Sequence, residues 1–465
     1  MLPRATEWFA LGSGEACRVG GERPMGARGK WVVAAAATFA LIAAACSSGT
    51  SGGGGGPTSA SASTTPITAK EPTSPVSISF AAPGYIVNSP NIKKFAKEFE
   101  KLHPNITIEF QSVPAEQEHD KLLTQVAAGT APDTAYVDSS IVSDFGLRNA
   151  LLGLNGYLAG SKLVDQSDFV PSFARMNTVT GQMYGLPFDG ESTALFYRTD
   201  MFQAAGISSP PKTWDEMQAD AQKLTNPAKK QYGFIMFAPE AEYYWLPFLY
   251  SAGGQLASPN GTPMWDSPAG DKSANFFIGL KKYSPPDAYN SNSYDGRVFF
   301  ANGQVAMYEA GAWFAGTTQS EFPKIKGKWA IAPIPQDQKC ATTIAGDSLA
   351  IFSSSKNQDA AWKWIEFLDQ KKNVLQWNTS PGQTLLPPLT SLLNDPETTF
   401  KNAPVLKGFV AQLRCGIDIN VTNPNWAAAE QKLKDRLGDA VFGKLSPTEA
   451  LDEAKQQALQ VLKQA

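Results

Sequence analysis

Two carboxylates and three aromatic rings fall within the six residues Glu240-Ala241-Glu242-Tyr243-Tyr244-Trp245. A second acidic pair, Asp189 and Glu191, is separated by a single glycine. Residues of these types suit a sugar, whose C–H faces pack on aromatic rings while its hydroxyls need charged or amide partners in a mostly preformed cleft. The same carboxylates are formally compatible with a glycoside hydrolase, which needs two carboxyl groups flanking a scissile bond. A structural reading also stands, because Tyr244, Phe248 and Ala252 at helical spacing can form one buried stripe. One or two of these aromatics are expected to face a cleft, with Tyr243 and Trp245 the candidates, and the others to pack. No His/Cys set with metal-ligand spacing, no Gly-rich phosphate loop and no nucleophile elbow occurs. No metal and no cofactor is therefore expected.

Such groups need elements to hold them. At 465 residues the chain is long for one average domain, and two lobes are the natural expectation. A hydrophobic content of 43% with 11 Trp supports large cores, and a formal net charge of −3 gives no reason to expect a nucleic-acid partner. Val76–Phe80 alternates as a strand does. Ser89-Pro90 starts a helix with Ile92, Phe95, Phe99 and Leu102 on one face. Ile106–Val113 reads as a second strand, 116–128 as a helix stopped by Gly129, and Thr134–Val137 as a third strand. Strands alternating with helices indicate βαβ units and a parallel sheet. Open sheets of this kind bind ligands beyond the carboxyl ends of their strands. The candidate loops are then Gly84-Tyr85, Glu116 to Glu118, and Asp138-Ser139-Ser140. Tyr85 is either a stacking platform or a loop aromatic facing solvent. Asp138 can accept sugar hydroxyls, cap the following helix, or do both.

Further along, Thr193–Tyr197 reads as a strand and Asp200–Ala205 as a short helix stopped by Gly206. After Pro210-Pro211, Thr213 and Glu216 make a capping box that starts a helix to about Leu224. Gly233–Phe237 is expected to be a strand leading into the aromatic segment. Asp189 and Glu191 either bind hydroxyls or satisfy backbone donors at a hinge.

The N-terminus sets the compartment. Arg28 and Lys30 precede an apolar run, Trp31–Ala45, that is short for a membrane span and ends in small residues before Cys46. This describes a secretory signal over 1–45, in which Met25 is a better start than Met1 and 1–24 has no role. Ala43-Ala44-Ala45-Cys46 resembles the lipobox of bacterial lipoproteins, which implies lipidation of Cys46 and attachment to the outer face of the cell membrane. Residues 46–75, rich in Ser, Gly, Thr and Pro, are expected to be a flexible tether. Cys340 and Cys415 are the thiols left in the folded part, and an even pair outside the cytoplasm is usually oxidised.

The ordered string MYGLPFDGESTALFYRTDMFQAAGISSPPKTWDE (183–216) resembles the first interlobe crossing of bacterial extracellular solute-binding proteins of family 1. The runs LLTQVAAGTAPDTAYVD, FLYSAGGQL, FFANGQVAMYEAGAW, IAGDSLAIF and QTLLPP resemble further family segments, so the likeness extends over about 76–465. It implies an α/β, two-lobed periplasmic-binding-protein type II fold, each lobe a mostly parallel sheet flanked by helices, with three hinge crossings. Lobe one is expected at 76–188 plus 330–372 and lobe two at 189–329 plus 373–465. Many relatives place an aromatic at the position of Trp313, which makes it the foremost stacking candidate, a structural tryptophan in the seam being the alternative. Gly346 and Asp347 lie on a family strand, and Asp347 stands where a glycine or polar residue is more usual. The implied function is a non-enzymatic, monomeric receptor that binds a carbohydrate, an oligosaccharide foremost, and hands it to the transmembrane subunits of an ABC importer. The acidic set Asp138, Asp189, Glu191, Glu240 and Asp347 leaves a cationic amino-sugar or polyamine open. A glycerophosphodiester fits less well, because the candidate loops hold almost no Arg or Lys.

Overall fold

The computed structural model describes residues 65–463 apart from 381, 382, 402, 418, 420 and 422. The signal segment, Cys46 and the tether up to residue 64 lie outside the described residues. From 65 onward the expected tether is packed rather than free. The Ile67 N–H donates to the Gly156 carbonyl at 2.8 Å, and a Cβ on Gly160 would stand 2.1 Å from the Ile67 carbonyl oxygen. The Glu71 carboxylate meets Lys363 at 3.0 Å and His103 at 2.7 Å, which holds the segment down further on.

The first half builds β1 (Val76–Pro83), α1 (Pro90–Leu102), β2 (Ile106–Val113), α2 (Glu118–Ala127), β3 (Thr134–Asp138) and α3 (Ser139–Leu147). Ser89 caps α1 by accepting from the Asn91 N–H at 3.2 Å, with Pro90 in the first turn where its missing N–H costs nothing. Ile92, Phe95, Ala96 and Phe99 form its buried stripe, whereas Leu102, expected on that face, is 64% exposed at the fraying end. Then come β4 (Gly185–Pro187), β5 (Glu191–Ser192), β6 (Ala194–Arg198), α4 (Trp214–Leu224), α5 (Ala241–Ser251), β7 (Met307–Ala310) and α6 (Trp313–Ser320). The return adds β8 (Trp329–Ala332), β9 (Ile344–Ala345), β10 (Asp347–Ile351), α7 (Gln358–Leu368), α8 (Lys371–Thr379), α9 (Trp426–Val441) and α10 (Pro447–Leu462).

Five strands join in the order β2-β1-β3-β10-β4. β1 is parallel to β2 and β3, while β10 runs antiparallel to β3 and β4. One face of this sheet buries Phe80, Phe95, Phe99, Trp364 and Trp377, and the other buries Val137, Ile141 and Phe145. The second sheet, β8-β6-β7, is antiparallel throughout, not mostly parallel as expected. Gly233–Phe237, expected to be a strand, joins no sheet. It runs beside β7, with the Met307 N–H donating to the Gly233 carbonyl, but the Phe234 N–H and Met236 N–H turn to Tyr283 and Ser284 instead of a ladder. This sheet packs in a second core with Trp214, Trp245, Trp265, Leu433 and Leu451.

Three segments run between the two cores. β5 pairs antiparallel with β9, Glu191 opposite Ala345, and Gly190 bridges to Leu386 on the third segment. β8 belongs to the second sheet, so the chain returns to the first sheet at 344–347 and not at 330. Val374, Trp377, Leu389 and Leu392 pack in the first core, whereas Leu386 and Leu393 pack in the second, so the third segment runs along both. α8 carries an inward apolar face, and a helix stays with the core that buries that face.

Cys340 and Cys415 are disulfide-bonded, with 5.4 Å between their Cα atoms and 75 residues between them in sequence. The bond ties the second crossing to the end of the segment before α9, where the Thr342 N–H also donates to the Cys415 carbonyl. Closing a loop of that length restricts the unfolded chain by on the order of 4 kcal/mol on the chain-entropy account. Cys340→Ser with Cys415→Ser is therefore expected to lower the melting temperature by about 5 °C in calorimetry, and an unchanged melting temperature would show that the bond contributes nothing.

Candidate functional site

Strand ends and crossings bring the acidic residues together. β3 ends in Asp138, whose carboxylate caps α3 by accepting from the Ser140 N–H at 2.8 Å. Capping uses one oxygen and leaves the group exposed, so both roles expected for Asp138 are compatible. Ser139, next to it, is buried and its hydroxyl pairs with Ser348 Oγ at 2.7 Å. It joins β3 to β10 and does not face ligand, contrary to expectation. Tyr85 follows β1 and is 65% exposed, yet protein surrounds it closely enough that burial, with Asp347, Asp189 and Glu118 nearby, raises its hydroxyl pKa. Glu116 falls in the turn Ala115–Gln117, and its side chain lies outside what is described.

Asp189 is buried at 2% exposure. Its Oδ1 accepts from the Asp347 N–H at 3.0 Å, and its Oδ2 from Trp377 Nε1–H at 3.1 Å. The Tyr136 hydroxyl lies 2.8 Å from Asp189 Oδ2 and 2.8 Å from Asp347 Oδ2. A phenol has one proton, so only one of these contacts is its own donation; the other requires a proton on a carboxyl group. Asp189, holding two N–H donors, is the better anion, which places the extra proton on Asp347. Burial first, then the charges of Asp189 and Asp138, drive the Asp347 pKa well above the carboxylate range. Asp189 therefore positions Asp347 and does not itself line the cleft. Gly346 is required by packing, because a Cβ there would stand 2.5 Å from the Asp189 carbonyl oxygen. Its own carbonyl accepts from the Ser139 N–H at 2.9 Å.

Glu191 faces the same space from β5. Burial, reinforced by Asp189 and Asp138 and opposed by the Trp313 backbone N–H, pushes its pKa up to about 8. Its Oε2 makes no hydrogen bond, and lies where a Cβ on Gly311 would come within 2.1 Å. Glu118 opens α2 and is 7% exposed. Its Oε2 accepts from the Asp138 N–H at 3.2 Å, its Oε1 has no partner, and burial raises its pKa to about 7.

The remaining candidates lie on elements of the second core. Tyr243, on α5, is partly exposed and feels Glu191 and Asp138 as well as Glu309 and Glu240. Trp313 opens α6, partly exposed, with its ring 6.2 Å from that of Tyr294. Glu240 is spent mainly on structure, accepting from the Ser293 N–H at 2.8 Å. Trp245 does not reach the cleft. It is 0% exposed, with Nε1–H donating to Ser273 Oγ at 3.0 Å, because the residues one helical turn on, Phe248 and Leu249, fix that face of α5 in the core. A recess of about 480 Å³ between 70–76 and the start of α7 takes none of these carboxylates as lining; its Asp359 already binds Lys70 and Tyr157.

Sequence reasoning missed Tyr136 and Trp377, and chose Glu116 over Glu118 within the same loop. Strand alternation puts Tyr136 on the face of Asp138, a signal that could have found it. Nothing local to Trp377 marks it as a partner of Asp189, 188 residues away.

Residues 85–374 match the model of the bacterial extracellular solute-binding protein family. A putative binding protein of Brucella abortus is 27% identical over 383 residues, covering 80% of this chain and 90% of its own. The mannitol-binding protein of Pseudomonas aeruginosa is 25% identical over 403 residues, with the same coverage. An ABC transporter solute-binding protein of Thermotoga lettingae, solved with alpha-D-tagatose, superposes with a TM-score of 0.75 at 26% identity, over 83% of this chain and 99% of that one. With two cores joined by three adjacent crossings and acidic and aromatic side chains grouped near them, the chain belongs to the bacterial extracellular solute-binding protein family, in its two-lobed type II fold.

Proposed function

We propose that this protein is the carbohydrate receptor of an ABC importer, held outside the cell by a lipid on Cys46, which takes a sugar between its lobes and presents it to the transmembrane subunits. The reading is supported by the grouping near the crossings of Tyr85 and Tyr243 with the carboxyls of Glu118, Asp138, Glu191 and Asp347, and of Trp313, whose backbone N–H donates to Glu191. The relatives that bind mannitol and tagatose support a polyol or sugar as the cargo. Lobe one is taken as 76–188 plus 346–393 and lobe two as 191–343 plus 394–463, with bending at the β5–β9 ribbon. The working form is a monomer.

Two observations weigh against glycoside hydrolysis. In the pair Asp189/Glu191, Asp189 is enclosed and fully hydrogen-bonded. In the pair Glu240/Glu242, Glu240 holds Ser293 and Glu242 is buried against Glu430. Neither pair presents two free carboxyls to a scissile bond.

A thermal-shift screen of the purified protein against monosaccharides, oligosaccharides and polyols tests the reading. A ligand at about 100 times its Kd stabilises the folded state by about 2.7 kcal/mol, so a clear upward shift is expected for one sugar class, with the sugar recovered intact. A flat response to the whole panel, or cleavage of the bound sugar, overturns it.

A further inference from the structure

The charge of this cleft is one-sided. The charged groups acting on Glu118, Glu191, Asp347, Tyr85 and Tyr243 are carboxylates contributed from both lobes. Lys434 acts on Glu240, Glu242 and Glu430 instead. Arg148 is engaged at the rim, where its Nε–H donates to Asp144 at 2.8 Å and its guanidinium to the Pro424 carbonyl at 2.8 Å. His119 is held by the same Asp144 at 3.0 Å.

Geometry gives an independent sign of an absent partner. Glu118 is more than nine-tenths buried and one of its oxygens has no hydrogen bond, though its charge reaches both Tyr85 and Asp347. Glu191 Oε2 is likewise unpartnered beside the Gly311 backbone. Buried carboxylate oxygens are normally satisfied. At Tyr136 the two 2.8 Å contacts to carboxyl oxygens demand one proton more than the phenol owns. In the ligand-free cleft, protons on the acids meet these demands. A hydroxyl group could fill a missing hydrogen bond but leaves the like charges unbalanced, whereas an ammonium group brings three N–H donors and a positive charge together.

We infer that the site is built for a sugar bearing a protonated amine, with the ammonium seated beside Glu118 and Asp347 and the ring packed on Tyr85, on which both carboxyls act. This rests on the carbohydrate-receptor reading and narrows it. Seating the cation displaces the protons those acids carry, so binding releases protons to buffer. The exposed Tyr85 ring adds attraction for a cation near its face.

Isothermal titration of the protein with D-glucosamine, N-acetyl-D-glucosamine, D-glucose and the corresponding disaccharides, with spermidine as a sugar-free amine, decides the matter. At about pH 7.5 the free amine is expected to bind at least about tenfold tighter than its acetylated and neutral counterparts, as a charge-assisted hydrogen bond requires. The heat should vary with buffer ionisation, reporting released protons. Equal or tighter binding of the acetylated or neutral sugar overturns the inference and leaves the receptor reading standing. Spermidine binding with no sugar response, or no binding by any sugar, overturns both. Glu118→Gln and Asp347→Asn, checked for folding by thermal melt, are each expected to shrink the preference for the amine several-fold. An undiminished preference in both folded variants removes these residues from the site, and the wild-type comparison decides the charge question whether or not they fold.

Discussion

The ligand-free protein is expected to melt about 5–10 °C lower at about pH 8.5 than at about pH 5, a loss of stability with rising pH. The cause is a set of carboxyl groups held above their ordinary pKa. Burial lifts Glu118 and Glu430 to about 7 and Glu191 to about 8, and lifts Asp347, Glu309 and Asp369 in the same direction. For each such acid the folded chain keeps a proton that the unfolded chain has already released. The favourable contribution is therefore complete below the unfolded pKa of 4.5 or 3.8 and is lost as pH rises through the folded value. For Glu118 and Glu191 the window runs from the ordinary value of 4.5 up to about 7 or 8, and each contributes on the order of 2 kcal/mol once partial solvent screening is allowed. His119, raised by its hydrogen bond to Asp144, acts in the same direction as it deprotonates. Opposing groups exist: Glu71 and Asp200 are lowered, the one by Lys363 and His103 and the other by Arg198, against their burial. Their contribution disappears only as pH falls through their folded values, so the optimum sits near pH 5. Calorimetry over this range checks the slope, and Glu191→Gln, which cannot ionise, should flatten it. A melting temperature that is level or rises toward pH 8.5 contradicts the whole electrostatic picture of the cleft.

Those same acids mark where sequence reasoning succeeds and where it stops. The strand-helix alternation of 76–147 is legible because local signals agree: a Ser-Pro start, a 3.6-residue apolar stripe, and Gly129 in a left-handed turn at φ 69°. The C-terminal helix is legible for the same reason, its Ser446/Glu449 capping box formed in both directions. Strand pairing is a different matter. Gly233–Phe237 has a strand's composition and runs extended beside β7, but its donors find loop acceptors, an outcome set by tertiary neighbours. α8 likewise follows α7 without a break in pattern, and it is the packing of Trp377 that places it with the first core. At the site, single residue types were recognised and their orientation was not. Asp189 and Glu191 look alike in sequence, separated by one glycine in an extended ribbon. Asp189 nonetheless enters the first core to hold Asp347 and Trp377, and Glu191 turns to the cleft. Tyr136 escaped because an aromatic on a central strand reads as core, and it is core, except for its hydroxyl.

Trp245 and Trp313 put that distinction to its sharpest test. Both were expected to face the ligand, and replacing each with alanine should now produce opposite results. Trp245 is wholly enclosed, in contact with the core around Phe248 and Trp265, and its indole N–H is satisfied by Ser273. Trp245→Ala leaves a large cavity, costing about 3–5 kcal/mol of stability. Any loss of sugar affinity should track the unfolded fraction and vanish in the folded population. Trp313 stands at the start of α6 against Phe314 and is partly exposed. Trp313→Ala removes only part-buried surface, so the melting temperature should change little. Affinity for sugar should fall about tenfold or more, since a ring face buried against the ligand supplies roughly 1.5–3 kcal/mol of apolar contact. Trp313→Phe should recover part of that loss, because a smaller ring still offers a face. Paired melting and titration curves make the comparison direct. If Trp313→Ala binds as the unaltered protein does, the second-lobe wall of the cleft lies elsewhere. If instead Trp245→Ala melts normally and fails to bind, α5 presents to the ligand a face that its packing assigns to the core.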